Sequence, residues 1–316
     1  MKRLPLLLPT VLACCTSPMI LPPSTDAASS GGREQLDGGS PAPDAHAVRS
    51  SADQYLSVSA GWYDTCGVKV DGTIACWGAY KTTPPQSPPA GSFTSVSVGQ
   101  IYMCGLKTDG TVFCWADVWY TDPYGMTKAP AGTYLAITTG YHEACGVRSD
   151  HTLTCWGYSG PNGVPPPGSD ALASVSAGDG HTCEVVTGGS VVCWGDNTYG
   201  QCTPPQGTFA SVSAGHFFTC GIETDGTVAC WGLDNHGQST PPKGAFALVS
   251  AGYSHACALT TNGTIVCWGD NSEGQSSPPG GTFTTVTAGS AHTCGVRTDL
   301  TVACWGRSVE GEATPP

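Results

Sequence analysis

The stretch that decides the fold is Thr219–Gly232, TCGIETDGTVACWG. Two apolar runs flank a Thr-Asp-Gly turn at residues 224–226, and a short turn with Gly in third place is typical of a β-hairpin loop. With these three residues as the loop, Cys220 faces Cys230 across the two strands, at a non-hydrogen-bonded pair where Cα atoms lie about 4.5 Å apart. A disulfide needs roughly 4.4–6.8 Å. The stretch is therefore predicted to be a hairpin that a disulfide can close.

The same cysteine spacing occurs seven times, which predicts seven disulfides and an oxidising compartment. The pairs are Cys66–Cys76, Cys104–Cys114, Cys145–Cys155, Cys183–Cys193, Cys220–Cys230, Cys257–Cys267 and Cys294–Cys304. Buried free thiols and metal binding are the alternatives, but the pairs lack the short C-x₂-C spacing of structural zinc sites. Cys15 and Cys202 are left over and could pair with each other or stay free.

A glycine that ends a Ser-Val-Ser-Ala-Gly-like run recurs with the hairpins at steps of 37–41 residues, at Gly61, Gly99, Gly140, Gly178, Gly215, Gly252 and Gly289. Periods of this size indicate solenoids or propellers. Gly (43) and Pro (25) are abundant in the 316 residues, which suits short strands joined by turns. We predict an all-β, seven-bladed β-propeller of 37–41-residue repeats, with three strands, or three and a short fourth, in each blade.

The N-terminus has the composition of an export signal. Met1-Lys2-Arg3 is basic, a short apolar run follows, and the tetrapeptide ending at Cys14 is typical of a bacterial lipobox. We predict a signal peptide of lipoprotein type over residues 1–13, with ordinary secretory cleavage as the alternative. Residues 14–54, rich in Ser, Gly, Pro and Ala, are predicted to be a flexible tether, and residues 55–316 the propeller. The protein is expected in the cell envelope or secreted, attached to a membrane only through lipid at Cys14.

The net charge of −12 disfavours nucleic-acid binding, because an acidic surface repels phosphates. The sequence has no nucleophile elbow, no zinc-protease motif and no phosphate loop. We therefore expect a monomer that is not an enzyme, with no cofactor and no metal. His181, His255 and His292 occupy one repeat position, which separates them into different blades and predicts a structural role.

The pattern G-x-x-H-T-C-G-V-x-x-D-G-T-V-x-C-W-G-x-N-x-x-G-Q, nearly complete in residues 178–201 and 252–275, resembles the regulator of chromosome condensation repeat. This resemblance covers residues 55–316 and implies a seven-bladed propeller. Paired cysteines and a Pro-Pro after Gly-Gln depart from the nuclear members and are similar to secreted bacterial ones. Nuclear members act as guanine-nucleotide exchange factors, a role that export disfavours. A secreted bacterial member inhibits β-lactamase through an aromatic-rich face, which by analogy implies an inhibitor of a secreted or periplasmic enzyme.

The two residues after each conserved glycine vary between repeats and carry many aromatic side chains. They follow a strand end, so we predict that they form loops on one rim of the ring and bind a partner. The alternative is that they pack between blades. The candidate rim comprises Trp62, Tyr63, Gln100, Ile101, Tyr141, His142, His216, Phe217 and Tyr253. Repeat two carries an apparent insertion over residues 116–133, with Trp119, Tyr120 and Tyr124 as a candidate lip.

The sequence therefore predicts a non-enzymatic, exported propeller that binds a partner, expected to be a protein. An enzyme with its site in the central channel and a purely structural envelope protein are the remaining alternatives. Exposure of the rim aromatics would separate binding from a purely structural role.

Overall fold

The computed structural model describes residues 54–79, 88–116, 122–158 and 172–316. These residues form seven three-stranded antiparallel sheets, one from each repeat. The inner strands are β1 (Tyr55–Ala60), β4 (Phe93–Val98), β7 (Tyr134–Thr139), β10 (Leu172–Ala177), β13 (Phe209–Ala214), β16 (Phe246–Ala251) and β19 (Phe283–Ala288). The middle strands are β2 (Asp64–Lys69), β5 (Tyr102–Lys107), β8 (Glu143–Arg148), β11 (His181–Val186), β14 (Phe218–Glu223), β17 (His255–Thr260) and β20 (His292–Arg297). The outer strands are β3 (Ile74–Gly78), β6 (Val112–Ala116), β9 (Leu153–Gly157), β12 (Val191–Gly195), β15 (Val228–Gly232), β18 (Ile265–Gly269) and β21 (Val302–Gly306).

The prediction of a seven-bladed all-β propeller is confirmed, with three strands in each sheet. The connections that follow β12, β15 and β18 are described throughout and contain turns but no strand, so these blades have no short fourth strand. The Gly-Gln-x-x-Pro-Pro segments form these turns, because Pro lacks the N–H that a sheet ladder requires. Within the described ranges no helix is long and apolar enough to cross a membrane.

The hairpin register is the one that the turn residues predict. Cys220 pairs with Cys230, Gly221 with Ala229 and Ile222 with Val228. All seven cysteine pairs are disulfides, with Cα atoms 4.0–4.1 Å apart. Each bridge therefore closes one hairpin within one blade, and the alternatives of free thiols or metal ligands do not apply to these fourteen cysteines.

Proteolysis under non-reducing conditions should recover each cysteine pair within a single blade. The expected result is seven disulfide-containing peptide species. Reduction should add two hydrogens to each of them and should release no peptide from another blade. Mass spectrometry before and after reduction measures this directly. A bridge between peptides from different repeats would contradict the assignment.

Neighbouring blades are joined by a repeated polar chain. His255 Nε2 lies 2.8 Å from Thr293 Oγ1 in the next blade, and Thr293 donates to the Gln275 carbonyl at 3.0 Å. Since the threonine proton is used on the carbonyl, the imidazole donates from Nε2. Trp305 Nε1 donates to the same carbonyl at 2.9 Å. His181 with Thr219 and His292 with Thr65 repeat the arrangement, each at 2.8 Å. The structural role predicted for these histidines is confirmed.

The ring is closed by that same chain between blade 7 and blade 1. Thr65 donates to the carbonyl of Glu312, which stands where other repeats have Gln, and Trp77 Nε1 donates to this carbonyl at 3.0 Å. The backbone N–H of Tyr55 donates to the Leu300 carbonyl at 2.8 Å. Both ends of the propeller therefore meet through ordinary blade contacts, without exchange of a strand between the first and last sheets.

In blades 2 and 5, which lack the histidine, an alanine replaces the threonine that faces it. Phe218 replaces histidine in blade 5, and Ala256 replaces threonine opposite it in the same buried cluster. Tyr102 and Ala144 form the corresponding pair between blades 2 and 3. In these two pairs an aromatic residue meets an alanine, whereas Glu143 of blade 3 keeps a threonine partner and accepts a hydrogen bond from Thr182, because a buried polar atom without a partner is costly.

Cys202, the free cysteine of the described residues, substitutes for a serine of the repeat. Its Sγ lies 3.5 Å from the Trp194 carbonyl and 3.2 Å from the Asp196 carbonyl. Ser276 makes the same two contacts in its own repeat. Burial raises the pKa of the Cys202 thiol to about 11, with the nearby carboxylates acting in the same direction. Cys15 lies outside the described residues, as does Cys14.

Because only the thiolate reacts readily, Cys202 should resist alkylation in the folded protein. Iodoacetamide at pH 8 is expected to leave this thiol unmodified until denaturant is added. Cys202→Ser should unfold within about 0.5 kcal/mol of the wild type, as a substitution that keeps the loop contacts. Rapid labelling of the native protein at Cys202 would overturn this view.

Candidate binding face

Seven glycines surround one mouth of the central channel, at the ends of the inner strands. A Cβ on Gly215 would lie 2.5 Å from the Gly252 carbonyl oxygen, and a Cβ on Gly252 would lie 2.4 Å from that of Gly289. Only glycine permits this close approach of neighbouring backbones. After five of these glycines the next residue bonds across to the next blade: for example, the N–H of His216 donates to the Gly252 carbonyl at 3.1 Å, and that of Tyr253 to the Gly289 carbonyl at 3.1 Å.

This backbone ring brings the first residue of every variable pair to the channel mouth. The mouth is lined by Trp62, Gln100, Tyr141, Asp179, His216, Tyr253 and Ser290, one from each blade. Trp62 extends furthest across it, because its ring contacts Tyr141 of blade 3 and Tyr253 of blade 6, both at 5.6 Å between centroids. The mouth is therefore covered by aromatic side chains from opposite sides of the ring.

Two lines of rings continue outward from this centre. On one side Tyr141 contacts His142 at 3.9 Å, His142 contacts Tyr124 at 5.4 Å, and Tyr124 contacts Tyr158 at 4.8 Å.

On the other side Tyr253 stacks on His216 at 3.8 Å with an interplanar angle of 17°, His216 contacts Phe217 at 3.5 Å, and Phe217 contacts Tyr199 at 5.0 Å. We call the whole set the aromatic face: Trp62, Tyr63, Tyr124, Tyr141, His142, Tyr158, Tyr199, His216, Phe217 and Tyr253.

Five rings of the aromatic face are exposed to between 37% and 49% of their surface: Tyr63, Tyr124, Tyr158, Tyr199 and Tyr253. The other five are partly buried, mainly against one another. Edge-to-face and offset contacts between rings contribute about 0.5–1.5 kcal/mol each and hold the side chains in place. The face is thus a preordered aromatic surface, not a set of mobile side chains.

One polar pair lies inside this surface. His216 Nε2 is 2.6 Å from Asp179 Oδ2, and the two side chains are exposed to only 11% and 13%. Burial lowers the pKa of His142, and the charge of Asp179 acts in the opposite direction. Burial also raises the pKa of Tyr253, with Asp179, Tyr63 and Tyr141 adding to the effect. The carboxylate therefore lies at the centre of the rings.

Most of the candidate rim residues lie on this face, and their role in binding stays a prediction. Gln100 lines the mouth beside them. Ile101 instead packs against the buried cluster that contains Tyr102 and Met126, so its side chain belongs to the contact between blades 2 and 3. Trp119 and Tyr120 lie outside the described residues.

The structure changes the interpretation of residues 116–133 as an insertion. Trp156 Nε1 donates to the Met126 carbonyl at 2.9 Å, as Trp231 Nε1 donates to the Gln201 carbonyl at 2.8 Å. Met126 therefore takes the place of the repeat's Gln, and the residues around it form the ordinary connecting loop. Tyr124 then corresponds to Tyr199, each one residue before a glycine.

Sequence reasoning missed Tyr158, Tyr199 and Asp179 as members of this region. Tyr158 follows an outer strand, and Tyr199 lies in a connecting loop. The sequence carries a weak signal for the two tyrosines, since most other repeats have no aromatic residue at these loop positions. Among the described residues, no group of three or more His, Cys, Asp or Glu is placed to hold a metal ion.

Comparisons with known proteins agree with this architecture. The regulator of chromosome condensation (RCC1) repeat matches residues 172–201, 209–238 and 246–275. The chain is similar to the CRINKLY WD40 ectodomain of the receptor kinase ACR4 from Arabidopsis thaliana, with 27% identity, a TM-score of 0.67, and coverage of 83% of this chain and 98% of that one.

It is equally similar in fold to the ectodomain of the receptor kinase CR4 from Physcomitrella patens, with 25% identity, a TM-score of 0.67, and coverage of 80% and 74%. Prp20p from Saccharomyces cerevisiae, at 15% identity, a TM-score of 0.58 and coverage of 75% and 80%, shares the fold alone. No curated protein sequence matches the chain. Residues 172–275 therefore carry three regulator of chromosome condensation repeats, and the seven blades, each closed by one disulfide, are similar to the propellers that such repeats form.

Proposed function

We propose that this protein is a non-enzymatic, exported propeller that binds a protein partner through its aromatic face. The repeat family and its fold support a binding role, since proteins of this family are generally regulators and binders and not catalysts. The observation that carries the proposal is the continuous line of rings across one channel mouth, with five of them exposed. Exposed contiguous aromatic surface marks interaction sites, and Trp and Tyr dominate binding hot spots.

The shape of the face favours a macromolecule over a small ligand. Each blade contributes its side chains at the level of the mouth, and Trp62 covers the channel beneath. Small-molecule sites instead enclose most of the ligand's surface. A purely structural envelope protein would have no need of five half-exposed tyrosines on one side.

Export is supported by the chemistry of the hairpins. Seven disulfides indicate an oxidising environment. The two plant proteins with 25% and 27% identity are ectodomains of receptor kinases. Both findings agree with the export that the basic and apolar N-terminal residues predict, and lipid attachment at Cys14 is the anchor that we propose.

The test of binding compares three forms of the mature protein as bait in culture supernatant and envelope extracts. Trp62→Ala combined with Phe217→Ala should reduce recovery of the wild type's specific partner at least tenfold, because buried aromatic anchors contribute about 2 kcal/mol or more. Phe113→Ala is the matched control, since Phe113 is 42% exposed on an outer strand away from the face. It should leave recovery unchanged.

The double variant should keep a melting temperature close to that of the wild type, because Trp62 packs against other face residues and not within the contacts between blades. Equal recovery by the double variant and the wild type would end the proposal. A large loss of stability would show that these rings belong to the core.

Lipid attachment has its own test. Metabolic labelling with a fatty-acid analogue should mark the wild type and fail to mark Cys14→Ser, since the acyl chains attach to that cysteine in a lipoprotein. Equal labelling of both proteins would contradict the assignment and leave ordinary secretory cleavage.

A further inference from the structure

The side of the propeller that carries the aromatic face is strongly acidic. Its connecting loops contain Asp196, Asp234, Asp270, Glu273 and Glu310, and Asp179 lies at the mouth itself. Within the described part of these loops the basic residues are Lys128, Lys243 and Arg307, fewer than the acidic ones. Arg307 is already paired with Glu312 at 3.5 Å. The side therefore presents a negative potential around a ring of aromatic side chains.

The opposite side has a different arrangement. There several aromatic rings have a cation from their own blade: Arg297 lies 4.8 Å above Phe283, Arg148 lies 5.3 Å from Tyr134, and Lys107 lies 5.7 Å from Phe113. On the aromatic face, Tyr63 has such a neighbour, with Arg307 5.1 Å above its ring. The described residues place no lysine or arginine over the rings of Tyr141 or Tyr253 in the same way.

The centre of the face combines two features that attract cations. The π-faces of Trp and Tyr attract a Lys or Arg group within about 6 Å, more strongly when water is partly excluded. Asp179 adds a poorly exposed carboxylate beside them, held by His216 at 2.6 Å. A charge in a partly desolvated mouth acts over a lower effective dielectric than one on an open surface.

We propose that the protein partner presents a basic segment, and that one arginine or lysine side chain of it binds at the channel mouth over Tyr253 and Tyr141 and beside Asp179. This inference rests on the proposed function and names the chemistry of the partner at that same face. The acidic loops steer the segment toward the face, and the mouth selects its cationic group.

The probe is a fluorescent hexa-arginine peptide with blocked ends, and its binding to the full mature protein is followed by anisotropy at low salt. Hexa-glutamate and a glycine-serine peptide of equal length are the reference probes. Hexa-arginine should bind the wild type, and neither reference peptide should bind. Asp179→Asn should weaken hexa-arginine binding at least fivefold. This substitution removes the negative charge, but it keeps the shape of the side chain and its ability to form a hydrogen bond with His216.

Asp225→Asn is the matched control, because it removes the same charge at a hairpin turn on the opposite side, where Asp225 accepts from the Thr227 N–H at 2.8 Å. It should change the affinity less than 1.5-fold. Tyr253→Phe, which keeps the ring, should bind as the wild type does, whereas Tyr253→Leu should bind at least threefold more weakly. Thermal unfolding of each variant checks that the fold is retained.

Equal affinities of Asp179→Asn and Asp225→Asn would overturn the inference, since binding would then reflect overall charge. Equal affinities of Tyr253→Phe and Tyr253→Leu would also overturn it. The proposed binding through the aromatic face and the proposed basic segment of the partner can be contradicted by different results. If Trp62→Ala with Phe217→Ala abolishes partner capture while Asp179→Asn has no effect on capture or on hexa-arginine, the aromatic face binds a partner of different chemistry.

Discussion

Lowering the pH from 7 to 5 should weaken the propeller by about 2 kcal/mol for each of its three buried histidines. Burial lowers the pKa of His181 and His255 to about 4 and that of His292 to about 3, from an ordinary value of about 6.5. The unfolded chain therefore takes up these protons below pH 6.5, while the native protein does not until about pH 4. The stability that the neutral imidazoles provide is complete above pH 6.5 and is lost as the pH falls toward 4.

One buried carboxyl group acts in the opposite direction. Burial raises the pKa of Glu184 to about 7, so the native state holds a proton that the unfolded chain loses above pH 4.5. This group favours the native state at low pH, and its contribution is lost as the pH rises through 7. Burial also raises the pKa of Glu143, which adds to the same effect. The wild type should still lose stability at pH 5, because three histidines outweigh these two carboxyl groups.

The measurement is guanidinium unfolding at pH 7 and pH 5 with the disulfides intact. The variant His255→Phe with Thr293→Ala removes one of the three imidazoles, so its loss between the two pH values should be smaller than that of the wild type by about 2 kcal/mol. Glu184→Gln should show a loss larger by about 2 kcal/mol, because a compensating group is gone. Identical pH dependence in all three proteins would contradict the assignment of these groups.

The sequence was sufficient to predict the hairpins because their determinants are local. The turn at Thr224-Asp225-Gly226 sets the register, the register places Cys220 opposite Cys230, and the structure has this pairing. The period of the glycines then predicts the number of blades. Both inferences need only residues within one repeat or the spacing between repeats.

The aromatic face was only partly predictable, because two kinds of loop contribute to it. The pairs after the glycines were found through their variability, but Tyr158 and Tyr199 follow the outer strands. That both loop types end on the same side depends on strand direction within the blade. The line of rings also depends on Trp62, whose side chain reaches across the mouth to blades 3 and 6. These contacts join residues that are far apart in the sequence, so no local pattern predicts them.

The matched pairs between blades were within reach of the sequence, since His181 and Thr219, like His255 and Thr293, lie 38 residues apart, close to one repeat. Finding them requires the ring order, because the histidine of one repeat must be compared with the threonine of the next. Phe218 and Ala256 follow the same rule with apolar residues. In these pairs, the variation at the histidine position is therefore explained by contacts between neighbouring blades and not by ligand binding.

Replacing Thr293 by Ala should destabilise the protein by about 2–3 kcal/mol, and adding His255→Phe should restore most of that loss. In the single variant the imidazole loses its partner at 2.8 Å, and its Nδ1 already lacks one among the described residues. A buried donor left without a partner costs about 1–3 kcal/mol. The double variant instead recreates the Phe–Ala pair that Phe218 and Ala256 form one blade earlier.

The four proteins of this cycle are compared by guanidinium unfolding at pH 7, where the histidine is neutral in both states. We expect a coupling energy of about 1–2 kcal/mol, as for residues in direct contact. The matched control is Ala256→Thr opposite Phe218, which should destabilise because it places a hydroxyl against an aromatic ring, and Phe218→His should rescue it. Additive effects at both positions would show that neighbouring blades tolerate any residue of suitable size, and that the polar chain from His255 through Thr293 to the Gln275 carbonyl does not select its partners.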